Sequence, residues 1–403
     1  MLTNGRPNFN GNTLIYGKDP NQDSTTNFYI AIKNMQLDSN NINKDTTFTI
    51  LDWSVSQATQ LTNLVFNMPN YSSGHTGIAM PEGGSGTMMG DLSFNGGAVG
   101  INMNNQQYEI KTATFSGCTT GIRVSHCFDC VFFGITFEYN NIGIDMSLRK
   151  DQSVVLLDST ASNVGTVVNT LAEQTGYSSL VIENFVAGSG LASVVSASGT
   201  SILAGSVPSA WVYGNAYTPG GPSSGSHQTG TTYATPRSSS LLLNGKYFAM
   251  QPPTYQDFDV SQFINVKQVA HYPVYGDGST DDTDNLNNII AIYAGCKILF
   301  FPHGTYMVTS TLYFPAGSRV IGEAWSTISA TGSNFYNPDA PEVMVKAGAS
   351  GDKGIAQFSD MLFTVADVLQ GCILLEVNIA GHSPGDVGFW NTHFRVGGQC
   401  CLD

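Results

Sequence analysis

Apolar and polar side chains alternate along residues 92–144, and the alternation restarts at a nearly fixed interval. Leu92-Ser93-Phe94 is followed by Gly100-Ile101, Ala113-Thr114-Phe115 by Gly121-Ile122, and Ile135-Thr136-Phe137 by Gly143-Ile144. The phenylalanines fall 21 and 22 residues apart, and another step of 22 reaches Ser159, a weaker copy with Leu157 before it and Gly165 after it. A period of roughly 20 to 25 residues with two-residue alternation inside it predicts strands stacked as the coils of a solenoid. No coil can bury its inward Phe or Ile alone, so the core exists only once coils stack. The recurring Gly suits a corner that needs positive φ or a close backbone approach. Helical leucine-rich repeats would need Leu at tighter spacing and a helix in each repeat, whereas this repeat is rich in Asn, Thr, Ser and Gly. The expected fold class is all-β, a right-handed parallel β-helix.

The same pattern, less regular, predicts coils at residues 30–38 and 61–67, and again at 153–157 and 180–186. Residues 1–215 are therefore read as a first β-helix. From residue 216 the composition shifts to Gly, Ser, Thr and Pro, which predicts a linker over 216–257 with nothing apolar to bury. Strand-like alternation resumes at Phe258, and 258–403 is read as the start of a second β-helix. Within it, Asp277, Asp281, Asp282 and Thr283 precede the apolar positions Leu286, Ile289, Ile290 and Ile292, which predicts a helix whose first turn is capped by side-chain oxygens. Counted as a calcium loop from Asp277, position six would be Asp282 and position twelve Asn288, so that template fails. Residues 297–306 predict a buried strand ending in a turn, 307–312 another strand, and 357–363, 372–377 and 387–396 further rungs.

Composition narrows the possible partners. The chain has 403 residues and a net charge of −14, with only 16 Lys and Arg, which argues against nucleic acid or an anionic membrane as partner. A neutral substrate suits such a surface better than a polyanion. No apolar run approaches the ~20 residues of a membrane span. Of the 7 cysteines, Cys127 and Cys130 form a lone C-x-x-C without a second ligand pair, so they are read as small inward side chains of a coil rather than as a zinc or redox site.

Three segments of the second half, Gly-Asp-Gly-Ser-Thr-Asp-Asp-Thr (276–283), Phe-Phe-Pro-His-Gly-Thr-Tyr (300–306) and Val-Ile-Gly-Glu-Ala-Trp-Ser (320–326), resemble the opening of a pectate-lyase-superfamily β-helix. Taken with Trp-Ser-Val-Ser-Gln-Ala-Thr (53–59), Asn-Asn-Gln-Gln-Tyr (104–108), Pro-Arg-Ser-Ser-Ser-Leu-Leu (236–242) and residues 387–398, the chain resembles glycoside hydrolase family 55, the exo-β-1,3-glucanases. The resemblance implies two tandem β-helices joined by a linker, secretion, and release of glucose from the non-reducing end of laminarin-type β-1,3-glucan in a cleft between the helices. It implies inversion, which needs a carboxylic acid and an arrangement that orients water on the opposite face of the ring. It implies no metal and no cofactor, and a monomer is expected. Only the second helix shows the Gly-Asp-Gly opening, and no segment matches that of the family's catalytic Glu, so the chain is expected to be an internal piece with the general acid beyond residue 403; the catalytic residue is left unassigned.

Four residues are candidates for substrate contact. The resemblance puts residues 104–107 on the cleft side, where an amide can both donate to and accept from a sugar or water. The alternative is an Asn/Gln ladder between coils, and which of Gln106 and Gln107 faces out is open without the coil phase. Trp53 would suit ring stacking or packing under a loop, and Trp325 and Trp390 share that choice. Glu376, amid apolar residues, is either outward and solvated or in contact with substrate. Glu323 and Asp145 follow glycine corners and are expected to accept backbone N–H groups. Two other functions compete: a non-catalytic carbohydrate-binding or adhesion solenoid, and a polysaccharide lyase, which would need a basic residue and usually calcium.

Overall fold

A computed structural model describes residues 2–3, 11–19, 21–84, 86–172, 178–217 and 220–396. It divides into two compact units, Met1–Ala249 and Met250–Asp403.

The first unit is a parallel β-helix. One sheet stacks Ala31–Asp38, Thr59–Asn67, Thr87–Asn95, Gln107–Ser116, Asp129–Glu138, Ser153–Leu157 and Ser179–Glu183 in parallel register. A second sheet stacks Thr13–Tyr16, Phe48–Asp52, His75–Met80, Val99–Asn104, Thr120–His126, Ile142–Asp145, Thr166–Thr170 and Ser193–Ala197.

The expected phenylalanine column exists, and it starts one coil earlier than the repeat suggested. Phe66, Phe94, Phe115 and Phe137 are all fully buried. Their rings stack at centroid spacings of 4.7, 4.7 and 5.5 Å. Phe66 escapes the 21–22-residue period because its coil carries longer connections on both sides of His75–Met80. At the other end the step is 24, not 22: Phe137 pairs with Ala161, while Ser159 turns its hydroxyl to the Ile135 N–H at 3.0 Å.

The repeated glycines have a specific reason to be small. A Cβ on Gly100 would stand 2.6 Å from the Phe115 ring and 2.5 Å from the Gly121 carbonyl oxygen, and one on Gly77 would stand 2.8 Å from Phe94. Each ring is seated against the backbone of a glycine in the facing sheet, so Phe and Gly recur together.

One residue per coil of the first sheet takes a left-handed conformation, within the strand at Asn34, Asn63, Asp91, Thr112 and Gly134 and directly after it at Asp158 and Asn184, at φ between 51° and 67°. Asn, Asp and Gly tolerate that region, and the β-branched Thr112 is the exception. They bend the strand and aim its two halves at different faces. Ladder bonds join some of them, as Asn63 Nδ2 donates to Asn34 Oδ1 at 2.9 Å.

Two expectations need correction here. Cys127 and Cys130 are buried as predicted, but they form a disulfide, because the turn between the strands ending at His126 and starting at Asp129 brings their Cα atoms to 6.1 Å. The stretch expected to be plain linker also contains structure. Ser226–Tyr233 pairs antiparallel with Ala210–Ala216, which itself runs antiparallel to Ser179–Glu183, and Thr200–Leu203 reverses against Ser193–Ala197. Reversed strands thus cover that end of the parallel stack.

Farther on, Arg237 of the 236–242 motif anchors the chain. Its guanidinium donates to Asp158 at 2.7 Å and to the Gly245 carbonyl at 2.9 Å, pairs with Glu183 at 3.0 Å, and lies 3.8 Å from the Tyr247 ring centroid. The Tyr247 N–H donates to the same Asp158 oxygen at 2.8 Å.

The second unit begins another parallel stack. Ser318–Ala330 pairs with both Ile298–Phe300 and Gly304–Val308, and then with Ala356–Val365, which pairs with Val387–Trp390 and His393–Phe394. A further sheet orders Leu312–Phe314, Glu342–Lys353 and Cys372–Ala380. The strand expected over 297–306 breaks at Pro302, so Thr305 and Tyr306 belong to the next strand. The helix Thr283–Tyr293 forms as expected and buries Leu286, Ile289 and Ile290.

Its capping differs in detail. Asp281, one residue before the cap position, accepts the Thr283 N–H at 3.0 Å. Asp282 instead turns inward to accept the N–H groups of Tyr275 and Gly276 at 2.8 and 2.9 Å, and burial pushes its carboxyl above the usual range despite those bonds. Asp277 accepts the Ser279 and Thr280 N–H groups at 2.9 and 2.8 Å, which hold its carboxyl well below the usual range.

Candidate functional site

The strand pairing sets out two outward rows on the first sheet. One runs Gly86, Gln107, Asp129, because Gln107 pairs with Asp129 and Tyr108 with Thr87. The other runs Gln60, Met88, Glu109, Val131. All of these but the buried Gln60 line an open groove of about 460 Å³. Gly86, at φ +76° and with nothing within 4 Å of where a Cβ would stand, leaves the space beside Gln107 free. Glu109 pairs with Lys111 at 3.1 Å.

Residues 104–107 take separate places in this arrangement. Asn104 and Asn105 are structural: their amides donate to the carbonyls of Pro81 at 3.0 Å and Gly84 at 3.1 Å, tying the turn to the coil beneath. Gln106 and Gln107 are both exposed, but only Gln107 lines the groove. Tyr108, between Gln107 and Glu109, points inward, and burial pushes its phenol up.

Trp53 is not a sugar platform. It is 3% exposed, and its indole N–H donates to Thr59 Oγ1 at 3.3 Å, whose hydroxyl meets that of Thr87 at 2.9 Å. Of ring stacking and packing under cover, the fold takes the second and buries it against Gly17, where a Cβ would stand 2.8 Å from the ring. Its contribution to the groove is indirect, since Thr87 lines the groove.

Glu376 lies on a strand of the second unit, paired with Lys346 at 3.1 Å and bonded to Asn378. Those hydrogen bonds hold its carboxyl below the usual range. It is an outward surface carboxylate of that unit. Glu323 accepts the His303 N–H at 2.7 Å, and Asp145 the Ser147 N–H at 3.2 Å, both as turn acceptors. Trp390 donates its indole N–H to the Met250 carbonyl at 3.0 Å, while Trp325 is 46% exposed.

Sequence reasoning missed Gln60. It shares the outward row with Met88 and Glu109, yet it is covered, and neither polar atom of its side chain has a hydrogen-bond partner. A buried amide left unmade costs about 1–3 kcal/mol. Only the strand phase of a neighbouring coil could have drawn attention to it.

The groove therefore offers one exposed amide that both donates and accepts, two carboxylates and a thioether, a set suited to holding hydroxyl groups. Among the described residues, no group of three or more His, Cys, Asp or Glu side chains is placed to hold a metal ion. No helix among them is long and apolar enough to cross a membrane.

Residues 2–145 and 263–365, more than half the chain, match the rhamnogalacturonase A/epimerase, pectate lyase-like family. The chain belongs to this pectate-lyase-like family. It is 37% identical, over 96% of its length, to a glucan endo-1,3-beta-glucosidase of Trichoderma harzianum, and 32% identical, over 98%, to a glucan 1,3-beta-glucosidase of Cochliobolus carbonum. It is also 33% identical, over 93%, to a non-secreted LysM effector of Penicillium expansum. These matches cover 50%, 50% and 31% of the respective relatives, so the chain spans about half or less of their length. The glucosidase relatives agree with the resemblance to glycoside hydrolase family 55 read from the sequence.

Proposed function

We propose that this chain takes part in hydrolysis of β-1,3-glucan, with the outward rows of the first β-helix holding the polysaccharide. The observation that carries the reading is similarity along nearly the whole chain to two relatives named as 1,3-β-glucosidases, at 37% and 32% identity. The groove chemistry supports it. Gln107 is the exposed amide beside an open position, placed to bond sugar hydroxyls or to orient water, and the 16 Lys and Arg of an acidic chain leave little to attract a polyanion.

The finer reading is attack from the non-reducing end with inversion. That requires a general acid poised to give up a proton. In the second unit Glu323, Glu342 and Glu376 are engaged with a backbone N–H, the Thr311 hydroxyl and Lys346 respectively, so none serves that role in this reading. An extracellular site of action fits the Cys127–Cys130 disulfide, since such bonds persist in oxidising surroundings.

The second reading is a glucan-holding solenoid without catalysis, favoured by the LysM effector relative. Affinity electrophoresis of the 403-residue chain through laminarin, run beside a glucose-release assay, separates the two. Retardation with glucose release supports the hydrolase, and retardation alone supports the holding role. Migration unchanged by laminarin overturns both.

A further inference from the structure

A second groove of the first unit, of about 470 Å³, lies over the turns that leave the strands ending at Asn67, Asn95, Ser116 and Glu138. Tyr71 and Tyr139 both line it and are 89% and 67% exposed. They sit on turns three coils apart, so strand spacing separates them by about 14 Å. Asn70, Asn95, Thr119 and Asn141 also line the groove, and no charged side chain does.

Both tyrosines have left-handed backbones, at φ 53° and 57°. A bulky residue rarely adopts that region, and holding it there costs on the order of 1–3 kcal/mol. Tyr255 shares the conformation, but it is buried and its hydroxyl bonds Gln357 at 2.8 Å. Tyr71 and Tyr139 stay mostly in solvent instead.

The neighbouring coils show what the position prefers. For Tyr139, in three successive coils the first turn residue donates its N–H to the carbonyl of the last strand residue of the next coil, Gly96 to Ser116, Gly117 to Glu138 and Tyr139 to Ser162. In the following coil Asn163 donates to Ser189, just past the strand Val186–Ala187; Tyr71 lies farther along its own turn, three residues after Met68. All four donors have positive φ. Gly, Gly and Asn suit that backbone, and Tyr139 is the exception. The two glycines also keep the floor low, since a Cβ on Gly96 would stand 2.3 Å from the Met68 carbonyl oxygen.

We propose that this groove is a second holding site for a neutral glucan chain, with Tyr71 and Tyr139 as ring platforms and the amides and hydroxyls between them bonding sugar hydroxyls. It rests on the reading above for the identity of the polymer, a β-1,3-glucan segment, and it lies apart from the Gln107 groove, with which it shares no lining residue.

The test compares the whole chain with the Y71N/Y139N double variant, Q107A, and the control Y16N by affinity electrophoresis in laminarin. Asn tolerates positive φ, so the double variant should keep its thermal midpoint or gain slightly. The expected result is at least a tenfold rise in the laminarin concentration for half-retardation in Y71N/Y139N and none in Y16N. Retardation of Y71N/Y139N equal to that of the unaltered chain overturns the second groove and leaves the proposed function standing, as does loss of retardation in Q107A alone. No retardation of the unaltered chain overturns both. Equal retardation of the unaltered chain by hydroxyethylcellulose, lost in the double variant, overturns the β-1,3 assignment.

Discussion

Replacing Phe115 with alanine removes the middle ring of a stack whose neighbours stand at 4.7 and 5.5 Å. The ring is fully buried, so its transfer from water alone is worth about 1.5–3 kcal/mol. The cavity adds to this, and little can collapse into it. Gly100 and Gly121 meet the ring with backbone, and the adjacent phenylalanines are held by their own coils. The total loss should fall at about 3–5 kcal/mol. A cycle with Phe94→Ala should give a coupling of about 0.5–1.5 kcal/mol, the share due to ring contact. Phe128→Ala is the control, because that ring is 54% exposed. Urea unfolding followed by far-ultraviolet circular dichroism measures all of them. Equal midpoints for Phe115→Ala and Phe128→Ala would refute the idea that the column carries the core.

Gly100→Ala should be worse than its size suggests, because the new Cβ would meet the Gly121 carbonyl oxygen at 2.5 Å; a lowered thermal midpoint is expected, with Gly86→Ala compared at a position that is strained but open. Arg237→Ala leaves the buried Asp158 carboxylate without its cation and should cost about 3–5 kcal/mol, read by denaturation. The pH dependence has the matching sign. Burial alone would raise the Asp158 carboxyl, but Arg237, Asn184 and the Tyr247 N–H bring it below the usual value. Its contribution is therefore full above the ordinary aspartate range and lost as pH falls through the depressed folded value, so protection of the Tyr247 amide against hydrogen exchange should fall in acid. Trp53→Ala should destabilise by about 3–5 kcal/mol and weaken laminarin retardation only through the disturbed Thr59–Thr87 pair, which a Thr87→Val variant should reproduce.

The first β-helix was legible because its core is a one-dimensional repeat: Phe94, Phe115 and Phe137 occupy one register, and equal coil lengths keep them in step. Phe66 and Ala161 lie in the same column but were missed or misplaced, since their coils carry longer turns and put them 28 and 24 residues from the next ring instead of 21 or 22. The groove was only partly legible. The 104–108 segment pointed to the correct turn, yet which amide faces solvent depends on strand phase. Trp53 and Gln60 depend on what covers them, which a local pattern does not encode. The disulfide depends on a turn's shape, as does the left-handed backbone of Tyr71 and Tyr139. The strand Ser226–Tyr233 was hidden by a composition typical of linkers, and no local pattern marks that Thr200–Leu203 and Ala210–Ala216 run in reverse.

That reversal bears on how the first stack avoids recruiting strangers. An uncovered parallel coil would offer an in-register template to any extended segment, including its own kind. Here the last strand of the sheet is Ser-His-Gln-Thr-Gly-Thr-Thr-Tyr (226–233), nearly devoid of grease, and its pairing slips between Val212 and Tyr213 with Gly230 at φ +101°. A polar, kinked border of this kind gives a would-be fibril partner neither a flat rail nor a dry face. Colloidal behaviour is thereby written into a stretch that contributes almost nothing to the core.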